Sequence, residues 1–197
     1  DVGKMRAAYY GKITLIDRWF GRIFQAFERR GWWENTLVIF WSDHGEMAGD
    51  HGYLHKSAFY SGALNAPFIL RWPGRIPAGE TSDALVEIMD AFPTLLEAIG
   101  LPTSERALGK SLWPLLRGEA DFVRDAAFSE VNQISMLMTG RYKYAVDSEG
   151  DGFMLFDVSA DPDERENLVG HPDFGDVEEQ MRERLLKWLL ATQVRQR

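Results

Sequence analysis

The sequence contains no cysteine, no excess of positive charge and no long hydrophobic run. Without cysteine the 197 residues can form no disulfide, no cysteine-ligated zinc site and no cysteine-derived nucleophile. Lys and Arg number 22 against 30 Asp and Glu, a formal net charge of −8. This balance argues against nonspecific nucleic-acid binding and against a basic membrane-binding patch. No apolar run reaches the roughly 18 residues of a membrane-spanning helix. The lack of cysteine fits a reducing compartment such as the cytoplasm without requiring it.

What the sequence does contain is material for an ordinary hydrophobic core. Hydrophobic residues make up 45% of the chain and charged residues 26%, which is typical of a globular protein. A chain of this length is expected to bury roughly 70% of the surface that it exposes when unfolded. It opens with Asp1 and not with Met, directly before a predicted helix. We therefore expect it to be a piece of a longer protein.

The first part of the chain combines helices with apolar strands. Apolar residues three and four apart predict a helix over residues 9–30, and this apolar stripe is expected to pack in the core. The continuous apolar run 36–41 predicts a strand covered on both faces, as in a parallel sheet with helices above and below. Residues 67–73 predict another short strand, and Asp90 is expected to be the N-cap of a helix that ends at Gly100. This order predicts an α/β fold.

After about Gly118 the pattern changes to short strands. Four strand-like runs separated by turns predict an antiparallel meander, namely residues 126–131, 134–139, 142–146 and 153–157. A helix from about Val177 to Ala191 is predicted to close the chain. We therefore expect two parts. Residues 1–118 form part of an α/β core, and residues 119–197 form a small antiparallel sheet with a C-terminal helix.

The densest cluster of chemically capable side chains follows the predicted buried strand. Three of the four histidines lie within twelve residues, and open α/β sheets bind ligands beyond the carboxyl ends of their strands. Asp43 offers hard carboxylate oxygens and His44 an imidazole nitrogen, which makes this pair suitable for a metal ion. Lys56 adds a cation 13 residues after Asp43. A metal and a lysine around one pocket suit the recognition of a tetrahedral oxyanion such as sulfate or phosphate.

Each of these residues also has a purely structural interpretation. Asp43 and His44 could form a polar turn after the strand, with His44 capping a helix. An isolated Lys56 would most often be a solvated surface residue. In the loop between them, Glu46 and Asp50 are expected either to order the loop or to be solvated. These alternatives stay open on the residue pattern alone.

The Asp-His-Gly segment and several later segments resemble one known family. In their order along the chain they resemble the C-terminal portion of the sulfatase family, within the alkaline phosphatase superfamily. The similar segments are residues 42–45, 49–52, 55–56, 90–96, 109–116, 141–144 and 155–168. Family members have Asn or His at the position of His44. The His form is similar to choline-sulfatase-type enzymes and to phosphonate or phosphate ester hydrolases.

The resemblance implies an enzymatic role for the cluster. Asp43 and His44 match two metal ligands of the family, and Lys56 matches the lysine that contacts the sulfate and the leaving-group oxygen. The implied cofactor is a divalent metal, with Ca²⁺ expected first and Mn²⁺ or Mg²⁺ as alternatives. The family's first pair of metal-binding aspartates lies upstream of the matched region. Its Cys/Ser-x-Pro-x-Arg motif, in which Cys or Ser becomes formylglycine, also lies upstream and does not occur here.

These absences bear on the activity of the chain by itself. Two ligands make a poor site for a hard divalent cation, which takes about six oxygens. A covalent route also needs the formylglycine nucleophile, which this chain lacks. We therefore expect the C-terminal portion of a metal-dependent sulfatase-like hydrolase that is inactive alone. Its expected substrates are small-molecule sulfate esters, or phosphate or phosphonate esters.

Two other hypotheses belong to different classes. The chain could be a non-catalytic binding or structural module that retains part of the fold and associates with another chain. Exposed sheet edges and helix faces would then favour self-association into a homo-oligomer. The chain could also be part of a phosphomutase of the same superfamily, which uses two metals. The single Asp43-His44 pair followed by Lys56 fits a one-metal site better. Neither a nucleic acid nor a membrane is expected as a partner.

Overall fold

The computed structural model describes residues 1–104 and 106–195. By their contacts these residues form two units. The first comprises Asp1–Lys56 and Gly62–Glu80, and the second comprises Ser57–Ser61 and the described residues from Thr81 onward. The predicted division into domains at residue 118 stays a prediction.

The first unit opens with a long helix, α1 (Val2–Arg29). It begins earlier than the predicted residue 9 because Asp1 caps it. The Asp1 carboxylate accepts the backbone N–H groups of Gly3 at 3.0 Å and Lys4 at 3.4 Å, which satisfies donors that the first helical turn leaves unpaired. The helix ends at Arg29, close to the predicted end.

The apolar stripe of α1 is only partly covered. Phe20 packs edge-on against Phe40, with ring centroids 5.0 Å apart, and Phe24 packs against Trp33 at 4.9 Å. The prediction that the whole stripe lies in a core is wrong for this chain, because no residue of α1 is buried in the part that the structure describes. The large exposed side chains of α1 are Val2, Tyr9, Tyr10, Ile13, Leu15, Ile16, Trp19 and Ile23.

Two short strands follow α1, β1 (Val38–Trp41) and β2 (Phe68–Arg71). They pair antiparallel, with Val38 opposite Arg71 and Trp41 opposite Phe68. The prediction of a parallel arrangement is therefore wrong for this pair. Parallel neighbours need a crossover, usually an α-helix, and the segment between β1 and β2 contains a 3-10 turn at Asp50–Gly52 and one short α-helix, α2 (Ser61–Leu64).

The second unit contains two further short helices, α3 (Ala91–Ala98) and α4 (Trp113–Leu116). Asp90 stands directly before α3, as predicted, but its side chain forms no capping hydrogen bond to α3. Its carboxylate instead accepts two hydrogen bonds from Arg124, each 2.6 Å long. The N-cap prediction is correct for the position of Asp90 and wrong for the role of its side chain.

The predicted meander is confirmed. It consists of β3 (Ala127–Val131), β4 (Ile134–Met138), β5 (Tyr142–Val146) and β6 (Gly152–Asp157), each antiparallel to the next. The predicted closing helix is α5 (Gly175–Arg195), which packs on this sheet. Phe128 stacks on Trp188 with the two rings 4.4 Å apart. The buried core comprises Ala126, Leu137, Tyr144, Val146, Leu155, Leu168, Met181 and Leu185. Among the described helices, none is both long and apolar enough to cross a membrane.

Candidate active site

The candidate site begins where β1 ends, on a backbone held by short-range contacts. The Ser42 hydroxyl donates to the carbonyl oxygen of His44 at 2.8 Å. The N–H of Gly45 donates to the carbonyl oxygen of Ala63 at 2.7 Å. A Cβ atom on Gly45 would overlap the carbonyl oxygen of Gly62, so only glycine allows this close approach of two backbone segments. These contacts fix the backbone on both sides of the predicted metal ligands.

The ring of His44 is held by two hydrogen bonds that together define its tautomer. Nδ1 lies 2.7 Å from the carbonyl oxygen of Gly45, which can only accept, so Nδ1 carries the proton. Nε2 lies 2.8 Å from Nζ of Lys56, whose ammonium can only donate, so Nε2 presents its lone pair. In this tautomer the ring directs the lone pair of Nε2 toward Lys56. This is the ring state in which histidine ligates metal ions, with the other nitrogen donating to a fixed acceptor.

The structure brings the three predicted site residues together. Oδ1 of Asp43 lies 3.6 Å from Nε2 of His44, and the Asp43 side chain is 80% exposed, so its carboxylate oxygens are open to a cation. One hard oxygen donor and one imidazole lone pair therefore lie side by side, which fits one side of a divalent-metal site. In residues 1–104 and 106–195, no group of three or more metal-binding side chains is found. The ligand roles of Asp43 and His44 and the catalytic role of Lys56 stay predictions.

Lys56 is carried by a loop that Glu46 organises. Oε1 of Glu46 accepts the N–H of Ala48 at 3.0 Å and the N–H of His55 at 2.7 Å. The first of these hydrogen bonds is the main cause that lowers the pKa of Glu46 below its usual 4.5. Of the two alternatives left open for Glu46, these hydrogen bonds favour ordering of the loop.

Two further sets of contacts close the same loop. Met47 donates its N–H to the carbonyl oxygen of His55 at 2.9 Å, which ties the start of the loop to its end. From α1, Arg6 donates to the carbonyl oxygen of Ala48 and to the carboxylate of Asp50, both at 2.7 Å. No pattern in the sequence indicates a role for Arg6, because it lies more than forty positions from its partners and belongs to no motif.

The second unit contains a buried ion pair that the sequence analysis also missed. Nζ of Lys143 contacts Oε1 of Glu164 and lies 3.2 Å from the hydroxyl oxygen of Ser61. The other carboxylate oxygen of Glu164 accepts the N–H of Ser61 at 2.7 Å. Burial lowers the pKa of Lys143, and the hydrogen bond with Glu164 opposes that effect. The pair thereby anchors Ser61, which lies five residues after Lys56 in the chain.

A second buried cluster surrounds Asp90. Besides Arg124, its carboxylate accepts the N–H groups of Glu87 and Lys110, each at 2.7 Å. Arg124 also lies 3.1 Å from the Glu87 carboxylate, whose pKa is raised mainly by burial. The two carboxylates share the guanidinium of Arg124, and both oxygens of Asp90 accept hydrogen bonds within the cluster, which favours a structural role over a catalytic one.

Comparison with known proteins gives one consistent match. The family model described as Sulfatase matches residues 2–101. An arylsulfatase from Clostridium perfringens (strain 13 / Type A) is 31% identical and matches 94% of this chain and 40% of its own length. The crystal structure of a phosphonate monoester hydrolase from Agrobacterium radiobacter is similar with a TM-score of 0.86 and 32% identity, over 98% of this chain and 42% of that one.

A second similar structure is that of a protein in complex with its substrate D-glucosamine-2-N,6-O-disulfate. It has a TM-score of 0.80 and 27% identity, over 93% of this chain and 39% of that one. These likenesses confirm the predicted fold class, part of an alkaline-phosphatase-like α/β core followed by a small antiparallel sheet and a helix. The chain spans between about a third and two fifths of the length of the curated relatives it matches.

Proposed function

Because the chain belongs to the sulfatase family, we propose that it is the C-terminal part of a metal-dependent hydrolase of small-molecule sulfate esters. One observation carries the proposal. At the end of β1, Nε2 of His44 lies 2.8 Å from the Lys56 ammonium and 3.6 Å from the Asp43 carboxylate. A metal ion held by Asp43 and His44, together with the nearby Lys56 ammonium, would place two positive charges around one oxyanion.

Asp43 and His44 would hold the metal from this side of the site. The His44 ring is already oriented, because Nδ1 donates to the Gly45 carbonyl oxygen and Nε2 keeps its lone pair. The Asp43 carboxylate contributes negative charge and exposed oxygens. When bound, a divalent ion supplies positive charge that stabilises the oxyanion. We propose Ca²⁺ first, with Mn²⁺ or Mg²⁺ as alternatives, since all three accept carboxylate oxygens.

Lys56 would contact the oxyanion of the ester and the leaving-group oxygen. Its ammonium donates to Nε2 of His44. When that lone pair is used for a metal, the Lys56 ammonium becomes available to another acceptor. An anionic ester oxygen is a stronger acceptor for an ammonium than a neutral imidazole, because the hydrogen bond then joins two opposite charges.

The nucleophile is proposed to come from a part of the protein outside these 197 residues. The chain contains no cysteine and no Cys/Ser-x-Pro-x-Arg segment. A formylglycine hydrate would supply the attacking oxygen in the complete protein. The chain alone is therefore proposed to be inactive, although it contains Asp43, His44 and Lys56.

Phosphate or phosphonate esters are the alternative substrates. A phosphonate monoester hydrolase is among the similar structures, and the metal pair and Lys56 would serve a phosphorus oxyanion equally well. The sulfate class is proposed first because an arylsulfatase and a protein that binds a disulfated glucosamine are both similar to this chain.

The test compares the complete protein, expressed with the coding sequence upstream of Asp1, with the 197-residue chain. Both are assayed with 4-nitrophenyl sulfate, 4-nitrophenyl phosphate and a phosphonate monoester, with and without added Ca²⁺ or Mn²⁺. We expect turnover of the sulfate by the complete protein only, and its loss in Lys56→Met. Turnover by the purified short chain, or full activity in Lys56→Met, would contradict the proposal.

A second candidate function is favoured by the exposed face of α1. Its apolar side chains include Ile13, Ile16 and Trp19, each about half exposed, and exposed apolar patches of this kind mark association surfaces. A non-catalytic module would use this face to self-associate. Sedimentation of the 197-residue chain tests this. A stable dimer that Trp19→Lys converts to a monomer, together with a start codon near Asp1, would favour this second function.

A further inference from the structure

In the loop that connects the metal-ligand pair to Lys56, three residues with a Cβ have an unfavourable backbone conformation, Ala48, His51 and His55. Ala48 has φ of +48° and His55 has φ of +69°. Both values lie in the left-handed region, which residues with a Cβ rarely adopt. His55 directly precedes Lys56, so its conformation sets the direction in which the chain delivers the lysine side chain.

The backbone N–H groups of two of these left-handed residues, Ala48 and His55, donate to the same oxygen atom. The N–H groups of Ala48 and His55 point to Oε1 of Glu46, at 3.0 Å and 2.7 Å. Hydrogen bonds from two backbone donors to a carboxylate are charge-assisted and stronger than bonds between neutral groups. A strained backbone conformation persists only where surrounding contacts stabilise it. Here the hydrogen bonds to Glu46 stabilise it at Ala48 and at His55.

His55 is held at its carbonyl oxygen as well as at its N–H. The carbonyl oxygen of His55 accepts the N–H of Met47 at 2.9 Å, and Met47 is buried. His55 is therefore fixed at its N–H by Glu46 and at its carbonyl by Met47. Beyond this point the Lys56 side chain extends to Nε2 of His44 at 2.8 Å.

We propose that Glu46 is a positioning residue for Lys56, which it places on His44 by holding Ala48 and His55 in their left-handed conformations. The hydrogen bonds of the Glu46 side chain go to the backbone N–H groups of Ala48 and His55. Glu46 therefore acts on Lys56 through the loop backbone. The consequence for catalysis rests on the proposed function of Lys56. The placement of the lysine can be measured without any activity.

The placement is tested in the 197-residue chain by the ¹⁵N resonances of the His44 ring, recorded without metal at a single neutral pH. Lys56→Met provides the reference for an Nε2 that has lost its ammonium donor. We expect Glu46→Ala to move the Nε2 resonance to the value seen in Lys56→Met. We expect Glu46→Gln to keep it near the wild-type value, because the amide oxygen still accepts both N–H groups.

The matched control is Glu34→Ala, which removes an exposed carboxylate of the same unit that pairs with Arg71. It should leave the His44 resonances unchanged. An Nε2 resonance that stays at its wild-type position in a folded Glu46→Ala chain would overturn the proposal. If Glu46→Ala does not fold, the same measurement is made on Glu46→Asp. Its shorter side chain keeps the negative charge but cannot reach the N–H groups of both Ala48 and His55. The proposal then requires a shifted Nε2 resonance, and an unshifted one contradicts it.

Kinetics of the complete protein connect the placement to activity. Glu46→Ala should lower kcat/KM for an aryl sulfate by about a hundredfold, the scale of a ~1 Å misplacement of a catalytic group, and Glu46→Gln should restore most of it. If the complete protein hydrolyses no ester at all, the proposed function fails, whereas the resonance experiment still decides the role of Glu46. Equal activity of Glu46→Ala and wild type would overturn the positioning role.

Discussion

Lys143 and Glu164 form an ion pair that is almost completely removed from water, with 1% and 2% of their side chains exposed. Buried charges are tolerated when they are paired and their remaining hydrogen-bonding capacity is used. Here the carboxylate also accepts the N–H of Ser61, and the ammonium reaches the Ser61 hydroxyl oxygen. The three residues join β5 to Ser61, the first residue of α2, and to the loop after β6, so the pair is expected to contribute to the stability of the second unit.

Removing one charge of this pair should destabilise the chain strongly. Lys143→Met leaves the Glu164 carboxylate buried without its counter-charge, a change that typically costs about 3–5 kcal/mol of unfolding free energy. Urea unfolding followed by circular dichroism measures the loss. The matched control is Lys187→Met, which breaks the exposed pair with Glu183 and should lower the unfolding free energy far less than Lys143→Met does, because exposed pairs contribute little. Equal losses in the two variants would show that the buried pair is not a stabilising contact.

Two glycine substitutions should have opposite effects. Gly45→Ala places a methyl group against the backbone carbonyl of Gly62, and the forced shift should lower the unfolding free energy by about 1–3 kcal/mol. Gly21 lies inside α1 with no atom near its missing Cβ, so Gly21→Ala should raise it by about 0.5–1 kcal/mol. Both are measured by urea unfolding. An unchanged unfolding free energy in Gly45→Ala would mean that the fold does not require the close approach of Gly45 to the backbone of Gly62.

The pair of Asp157 and Arg141 should affect stability in acid. The hydrogen bond from Arg141 is the main cause that lowers the pKa of Asp157 below its ordinary 3.8 in the folded chain. The stabilisation is therefore fully present above about pH 3.8 and is lost as the pH falls through the lower folded pKa. Asp157→Asn has no carboxylate to protonate and should lack this loss of stability in acid. Its unfolding free energy should therefore decline less steeply below about pH 3.8 than that of the wild type. Parallel curves for variant and wild type would refute the assignment.

Loss of either predicted metal ligand should weaken metal binding by the complete protein. His44→Ala and Asp43→Ala should each raise the Ca²⁺ concentration that restores activity after chelation by at least about tenfold, since even residues behind metal ligands have effects of 10–100-fold. His171→Ala is the control, because His171 lies in the second unit and accepts a hydrogen bond from the N–H of Asp173. Unchanged Ca²⁺ requirements in both ligand variants would exclude the predicted pair.

The sequence predicted the features that depend on short-range patterns. Alternating apolar runs indicated all four strands of the meander, and the polar residues directly after an apolar strand indicated Asp43 and His44. Periodicity reports which side chains are buried and not which way strands pair, and for this reason β1 and β2 were expected to be parallel. The apolar stripe of α1 was expected in a core for the same reason, although α1 has no buried residue in the described structure.

Contacts between residues distant in sequence could not be predicted. Asp90 has the composition and position of an N-cap, but Arg124 lies 34 positions away and binds its carboxylate instead. The contact between Lys56 and His44 depends on the left-handed conformation of His55, a residue type that gives no sequence signal for it. The spacing of Lys56 from Asp43 and the resemblance to a known family were the two reasons to place Lys56 at the site.

Metal location in the complete protein tests the central claim most directly. Crystals soaked in Mn²⁺ would be measured at the manganese absorption edge, where an anomalous difference map locates the ion. We predict one peak at about 2.0–2.6 Å from an Asp43 carboxylate oxygen and from Nε2 of His44, the range of protein ligand distances for such ions, with the Lys56 ammonium no longer bonded to Nε2. The claim would be contradicted if crystals saturated with Mn²⁺ showed no peak beside Asp43 and His44. It would also be contradicted if the ion bound elsewhere while the Lys56 ammonium stayed on His44.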